Sequence, residues 1–209
     1  ATYNWEIGKI ERGNNDPKEY EVPSHQWFDL TDNSGGYGVS ILNDTKYGSD
    51  KPADNLLRLT LLYSPGIKNV RDYREQQYQD WGTHDFVYGI YGHAGDWRKG
   101  KSDWQSMRLG QPLLVFRTAA HEGKLGRSFS LLQLDSDDVA VRAVKLAEEG
   151  DQIVVRLQEL NGTDAGTVHL AAVNGLTAAM ELNGIEKALG KIKDQSGTLP
   201  LEFKGYQLR

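Results

Sequence analysis

The sequence predicts an all-β protein of antiparallel strands, and three observations lead to this fold class. First, apolar and polar side chains alternate along several short runs, as at Leu57, Leu59 and Leu61, so that one face of a strand can be buried while the other contacts water. Second, glycine, asparagine and aspartate interrupt the chain about every ten residues, as turns do in sandwiches and barrels. Third, apolar residues rarely recur at helical spacing, and we expect helix in less than about a tenth of the chain.

Composition narrows the classes of function. The 209 residues suffice for one large domain or two small ones, and the net charge of −5 provides no basic field for nucleic acid. No apolar run approaches the roughly 20 residues that cross a bilayer, so we expect neither a nucleic-acid nor a membrane partner. The absence of cysteine excludes disulfides and thiolate chemistry, but it does not distinguish cytosol from periplasm. The location stays open, and the cytoplasm is favoured.

The chain divides into two parts by its tryptophan content. All five tryptophans precede residue 118, whereas residues 118–209 contain none and are rich in valine, alanine and leucine. The segment 118–127 has the small and polar character of a linker. We therefore predict an aromatic-rich β-sandwich portion over residues 1–117 and a smaller C-terminal β-sandwich over residues 118–209.

In the first part, the glycine-rich turn at residues 35–38 leads into a strand at residues 39–42, and the alternating leucines form another strand. Residues 71–79 are charged, with tyrosines at a spacing that does not fit a helix, and we expect a long exposed connection. Residues 83–93 are rich in aromatic residues and glycine and are interpreted as one strand.

In the second part, the pattern predicts about six strands. These lie at residues 129–134, 139–147, 152–159, 166–172, 178–182 and 199–208. Asn161-Gly162 and Asn183-Gly184 stand where tight turns need a positive φ, which glycine adopts without steric cost. Residues 185–192 are compatible with a turn or two of helix.

Catalytic and metal-binding motifs are absent from the sequence. The five histidines show no HxH or HExxH spacing, and His84 and His93 would lie on opposite faces of a single strand. Carboxylates are numerous, but most stand beside glycine, asparagine or serine, where they usually stabilise turns. The chain has no GxSxG, P-loop or GxGxxG motif. We therefore expect no catalytic residue and no metal ligand in these residues.

Four tryptophans are open to two interpretations. Trp27, Trp81, Trp97 and Trp104 stand beside polar or charged residues, at what we interpret as loops or strand ends. An aromatic ring flanked by polar groups suits the C–H face and hydroxyl groups of a sugar. The alternative, that these rings cap a sandwich core, is the preferred interpretation.

Several sequence runs resemble the C-terminal region of glycoside hydrolase family 38 α-mannosidases, in particular their cytosolic, vacuolar and bacterial branch. The most specific are the pattern NDxKYG at residues 43–48 and the pattern GxHxFxY at residues 82–88. The runs that carry the resemblance are residues 21–30, 36–39, 42–48, 56–65, 82–88, 93–96, 155–162 and 206–208.

The resemblance implies a non-catalytic role for this chain. Family members are retaining, zinc-dependent α-mannosidases that hydrolyse terminal α-D-mannosyl residues, and their zinc ligands and nucleophile lie in an upstream catalytic domain that is followed by a helical bundle. This chain would correspond to the galactose-mutarotase-like supersandwich portion and the closing sandwich. Its expected partners are the upstream catalytic and helical domains of the same polypeptide and mannosides or oligosaccharides, and homo-oligomerisation stays open. The alternative is an autonomous carbohydrate-binding or scaffold β-sandwich.

The resemblance also suggests substrate-binding residues. In the family, the β domains fold back on the catalytic domain and help to wall the sugar cleft. We expect the loop after the strand at residues 39–42 and the segment around residue 63 to make that contact. The predicted residues are Asn43, Asp44, Lys46, Tyr47 and Tyr63. Related sequences tend to carry arginine at the position of Tyr63, and residues 70–79 are longer than expected.

Overall fold

The computed structural model of the protein describes residues 1–16, 18, 21–63, 81–176 and 178–209. The described chain forms two compact units, Ala1–Leu114 and Val115–Arg209. The predictions for residues 71–79 and for the longer stretch at residues 70–79 both lie outside the described residues. The sequence-based division after residue 117 stays a prediction about folding domains.

The first unit is built on a five-stranded antiparallel sheet, in which the strand order is β2-β1-β4-β5-β8. A smaller antiparallel sheet has the order β3-β6-β7. The strands are β1 (Thr2–Asn4), β2 (Lys9–Glu11), β3 (Val22–Pro23), β4 (Trp27–Thr31), β5 (Tyr37–Asn43), β6 (Gly48–Ala53), β7 (Leu56–Leu59) and β8 (Tyr88–Ala94). Two helices follow β8, α1 (Trp97–Gly100) and α2 (Ser102–Gly110).

The two faces of the larger sheet have different partners. On one face, Trp27 and Leu42 pack with Trp97 of α1 in a buried cluster. The opposite face buries the stacked rings of Tyr3 and Phe28, because successive side chains of a strand point to opposite sides. On this second face, Ile41 and Ile90 share a cavity of about 230 Å³ with leucines of the segment that includes β7. The helices and the smaller sheet thus cover opposite faces.

The second unit contains three small antiparallel sheets, with the orders β15-β12-β9, β10-β11 and β13-β14. Its strands are β9 (Leu132–Leu134), β10 (Val139–Leu146), β11 (Ile153–Glu159), β12 (Gly166–Ala172), β13 (Ala179–Leu182), β14 (Ala188–Ile192) and β15 (Thr198–Phe203). The alternating residues Leu199, Leu201 and Phe203 of β15 are all buried and pack with Val168 and Leu170 of β12. The period-two pattern of this strand therefore identified its buried face.

A buried carboxylate closes the corner between β11 and the C-terminal turn. Glu159 is fully buried, and it accepts hydrogen bonds from the backbone N–H groups of Asn161, Gly162 and Tyr206 at 2.7, 2.8 and 2.7 Å. Gly162 has a φ of +73°, and a Cβ atom there would lie 2.4 Å from the Tyr206 ring. The Asn161-Gly162 turn was therefore predicted correctly. The close contact with the Tyr206 ring is a second reason why residue 162 is glycine.

The structure confirms the all-β, antiparallel fold class, with 42% of residues in strands and 7% in helices. All six strands predicted for the second part exist, with ends that differ by a few residues in most of them. Among the described residues, no helix is long and apolar enough to span a membrane.

Three sequence-based interpretations are wrong, and two helices were missed. Residues 185–192 do not form a helix, because β14 pairs with β13 across this region, and the positive φ of the turn falls on Glu186 rather than on Gly184. The predicted strand at residues 83–93 begins only at Tyr88. The two helices were not predicted, since α2 is mostly polar, and its contacts with the sheet depend on the small buried residues Ser102 and Ser106 rather than on an apolar stripe.

Candidate functional site

Four chain segments meet at one end of the five-stranded sheet. The strand β1 ends there at Asn4, β4 begins at Trp27, β5 ends at Asn43 and β8 begins at Tyr88. The register fixes this arrangement, because Trp27 pairs with Leu42 and Asn43 pairs with Tyr88. We call the side chains presented at this end the aromatic rim. It consists of Trp5, His25, Lys46, Tyr47, His84 and Phe86.

One half of the rim is a group of three rings. The ring of Trp5 stacks on that of His25, with centroids 5.1 Å apart and planes 28° apart. The ring of Tyr47 meets His25 edge-on at 5.8 Å and 72°. Trp5 is 36% exposed and Tyr47 is 57% exposed. These rings therefore contact one another and still present surface to solvent.

The other half places a cation on an aromatic face. The Nζ of Lys46 lies 4.3 Å from the centroid of the Phe86 ring, within the range of a cation–π contact. Phe86 in turn lies parallel to His84, with centroids 6.1 Å apart and planes 5° apart. The Phe86 face therefore holds the Lys46 ammonium.

Backbone hydrogen bonds join the loops that carry these side chains. The His25 N–H donates to the Asn4 carbonyl at 2.9 Å, and the Ser24 N–H donates to the Tyr47 carbonyl at 2.8 Å. The Asn43 side chain donates to the His25 carbonyl at 3.1 Å and accepts from the Lys46 N–H at 2.9 Å. Three loops are thus tied together at the sheet end.

The structure assigns different positions to the predicted site residues. Lys46 and Tyr47 belong to the rim, whereas Asn43 is 1% exposed and its side chain bonds to the backbone of the loops. Asp44 is exposed and accepts a hydrogen bond from Thr45 at 3.1 Å. Tyr63 is 68% exposed, follows β7 and is not a member of the rim. Their roles in binding stay predictions.

The rim contains four residues that sequence reasoning missed as site residues: Trp5, His25, His84 and Phe86. His25 joins the rim because β1 and β4 pair, and this contact between distant parts of the sequence leaves no local signal. The GxHxFxY pattern was a usable signal for His84 and Phe86. The sugar-binding interpretation fails for Trp27 and Trp97, which are 0% and 2% exposed and belong to the core.

Chemically, the rim suits a neutral polyol. Aromatic faces accept the apolar C–H face of a sugar ring, while the ammonium, imidazole and phenol groups can hydrogen-bond to hydroxyls. The loop carries one carboxylate, Asp44, and one ammonium, Lys46, so the two charges balance. The site is therefore not strongly charged.

A second polar cluster lies beneath α2 and combines the residue types of a hydrolytic triad. Asp29 and His93 are 1% and 2% exposed at their side chains, and His93 Nε2 lies 2.7 Å from Asp29 Oδ2. Ser40 Oγ donates to the same carboxylate oxygen at 2.7 Å and lies 2.6 Å from Ser102 Oγ.

In a working triad, opposite ring nitrogens face the serine and the aspartate. Here Nε2 faces both residues, and Nδ1 is buried without a hydrogen-bond partner. The cluster therefore serves to attach α2 to the sheet.

Within the described ranges, no three histidine, aspartate or glutamate side chains converge closely enough to hold a metal ion. The described residues thus do not fit the zinc site that the resemblance implies for a whole enzyme.

Comparison with known proteins gives two matching family models. Residues 1–71 match the glycosyl hydrolases family 38 C-terminal domain, and residues 138–209 match the glycosyl hydrolases family 38 C-terminal beta sandwich domain. Together the two models cover about two thirds of the chain.

Curated relatives and solved structures agree with these matches. Alpha-mannosidase 2C1 of Homo sapiens is 30% identical over 217 residues, covering 100% of this chain and 20% of the relative. Alpha-mannosidase G of Dictyostelium discoideum is 29% identical, covering 99% of this chain and 19% of the relative. The crystal structure of an alpha-mannosidase from Enterococcus faecalis V583 superposes with a TM-score of 0.76 at 20% identity, covering 99% of this chain and 23% of that one. The last similarity concerns the fold alone. The chain spans about a fifth of the length of the curated relatives it matches.

Proposed function

The chain belongs to the C-terminal region of glycosyl hydrolase family 38, and we propose that it is the non-catalytic β region of a retaining, zinc-dependent α-mannosidase that hydrolyses terminal α-D-mannosyl residues. In this proposal the zinc ligands and the nucleophile belong to upstream domains of the same polypeptide. The β region supports the catalytic domain, and the loop with Lys46 and Tyr47 walls the sugar cleft.

One observation carries the cleft-wall role, namely how Lys46 and Tyr47 are presented. The buried Asn43 side chain holds the backbone of this loop, and the Phe86 ring holds the Lys46 ammonium. A side chain that is already ordered loses little entropy when it contacts a ligand. The loop therefore presents a fixed cation and a fixed phenol, the groups needed to orient hydroxyls of a sugar.

The proposal is tested by steady-state kinetics of the whole enzyme on an aryl α-mannoside. We expect Lys46→Ala and Tyr47→Ala each to lower kcat/KM by about tenfold, which corresponds to about 1.4 kcal/mol of transition-state stabilisation. The melting temperature should change little, since both side chains lie at the surface. The matched control is Tyr37→Ala, because Tyr37 is 64% exposed and begins the strand β5 that Asn43 ends. Unchanged kinetics for both rim variants would refute the cleft-wall role.

The same proposal makes a statement about the 209-residue chain alone. Because a catalytic zinc site needs about three protein ligands, and the described residues contain no such group, we expect the isolated chain to retain no stoichiometric zinc and to have no mannosidase activity. Metal analysis after dialysis and an aryl α-mannoside assay measure both. Stoichiometric zinc, or turnover that survives purification to homogeneity, would contradict the proposal.

A second candidate is an autonomous carbohydrate-binding or scaffold β-sandwich, which the exposed rings of Trp5 and Tyr47 favour. The two functions differ in what the gene encodes. An upstream reading frame with an aspartate and histidine zinc motif supports the enzyme, and a frame that lacks the motif supports the module.

A further inference from the structure

Trp5 and His25 form the part of the rim that the cleft-wall role does not explain, and the His25 ring contacts both Trp5 and Tyr47. Of the tryptophans in the first unit, Trp27 and Trp97 are buried in the core and Trp81 is 70% exposed, whereas Trp5 is 36% exposed and stacks on His25 although it stands directly beside the buried end of β1. A large ring that is partly exposed at an ordered position is a suitable contact surface for a ligand.

The position of Trp5 is fixed by the backbone rather than by core packing. Its N–H donates to the Gly8 carbonyl at 2.9 Å and closes the turn between β1 and β2. The neighbouring Asn4 carbonyl accepts from the His25 N–H at 2.9 Å, and the Asn4 side chain accepts from the Gln26 N–H at 3.1 Å. The stacked pair of Trp5 and His25 is therefore ordered before any ligand arrives.

The charges around the three rings point to a neutral ligand. Glu6 follows Trp5 in the chain and is exposed, and Asp44 and Lys46 belong to the same loop as Tyr47. These neighbours supply no excess of positive charge, which a phosphate or another anion would need for favourable binding. A pyranose ring offers an apolar C–H face for Trp5 and hydroxyls for the imidazole and phenol groups.

We propose that Trp5, with His25 and Tyr47, is a stacking site for a pyranose ring of a mannose oligosaccharide. This site rests on the proposed function, since the ligand is the oligosaccharide that the whole enzyme cleaves. It contributes affinity for the longer substrate and takes no part in bond cleavage.

Binding to the 209-residue chain tests the site without any catalysis. Saturation-transfer difference NMR and titration calorimetry with mannotriose should detect binding, and methyl α-mannoside should bind more weakly. We expect Trp5→Ala to weaken mannotriose binding at least about fivefold, the size of effect expected when a central aromatic contact is removed. Tyr37→Ala, at a residue that is 64% exposed and begins β5 at the opposite end from Asn43, is the matched control and should bind as the unmodified chain does. Far-ultraviolet circular dichroism checks that each variant folds. No mannotriose binding by the unmodified chain, or equal losses in the two variants, would overturn the site.

Kinetics of the whole enzyme separate this inference from the proposed function. We expect Trp5→Ala to lower kcat/KM for mannotriose about fivefold or more and to leave kcat/KM for α-mannosyl fluoride unchanged, because the fluoride leaving group is too small to reach the stacking site. The proposed function fails if Lys46→Ala and Tyr47→Ala leave the aryl mannoside kinetics unchanged. The stacking site fails if Trp5→Ala affects both substrates equally or neither. The two failures are therefore distinguishable.

Discussion

Replacing Glu159 with glutamine tests how the second unit is closed. The carboxylate is fully buried, and its two oxygens accept three backbone N–H groups, one on Oε1 from Asn161 and two on Oε2 from Gly162 and Tyr206. A glutamine side chain has the same shape but only one accepting oxygen, and its NH2 group must face at least one of these donors.

The magnitude follows from the number of donors left without an acceptor. If the amide oxygen takes the Oε2 position, one N–H group loses its acceptor, and in the opposite orientation two N–H groups lose theirs. Each unsatisfied buried donor costs about 1–3 kcal/mol, and hydrogen bonds to a neutral oxygen are weaker than those to a carboxylate. We therefore expect Glu159→Gln to lower the free energy of unfolding of the second unit by about 2–4 kcal/mol.

Urea denaturation measures this loss with two signals. All five tryptophans lie in residues 1–114, so tryptophan fluorescence follows the first unit, whereas far-ultraviolet circular dichroism follows strands of both units. With an m-value of about 2 kcal/mol/M, we expect the dichroism transition of the second unit to shift by about 1–2 M while the fluorescence transition keeps its midpoint. The control is Glu149→Gln, at an exposed glutamate. A loss below about 0.5 kcal/mol, the usual range of a neutral surface substitution, would refute the reasoning.

Three further predictions concern packing, a buried ion pair and acid stability. Leu201→Ala removes a core side chain that is 5% exposed, and it should cost about 2–5 kcal/mol in the same dichroism assay, whereas a loss below about 1 kcal/mol would contradict tight packing. Lys9→Met removes the cation that lies 3.2 Å from the buried Asp103 carboxylate. We expect the free energy of unfolding of the first unit, measured by tryptophan fluorescence, to fall by about 3–5 kcal/mol, and an unchanged urea midpoint would contradict this expectation. Hydrogen bonds from the His169 backbone and ring hold the pKa of the Asp135 carboxyl below its ordinary value. The ionised Asp135 therefore stabilises the fold above the unfolded-state pKa of about 3.9, and this stabilisation is lost as the pH falls through the lower folded-state pKa. Asp135→Asn should flatten the acid dependence of the urea midpoint in that range, and an unchanged dependence would count against the contact.

How far the sequence predicts this fold depends on whether the signal is local. The alternation of Leu199, Leu201 and Phe203 identified a buried strand face, because period two is a property of the strand itself. The segment 185–192 was misinterpreted because a short run between glycines has no clear period, and only its pairing with β13 decides that it is a strand. The helix α2 had no apolar stripe and could not be predicted by periodicity.

The candidate site shows the same division. The sequence by itself identified the loop with Lys46 and Tyr47 as a candidate site. Two signals did so: the loop follows an apolar strand, and it carries the family pattern. It could not separate Asn43, which is buried in the loop, from the side chains that reach solvent, since the hydrogen bonds of Asn43 go to a distant strand connection at His25. Tertiary structure alone also added Trp5 to the rim, because the pairing of β1 with β4 brings together residues that are far apart in the chain. Sequence determines local geometry and the alternation of faces, and the registers of non-local strand pairs decide which side chains share a surface.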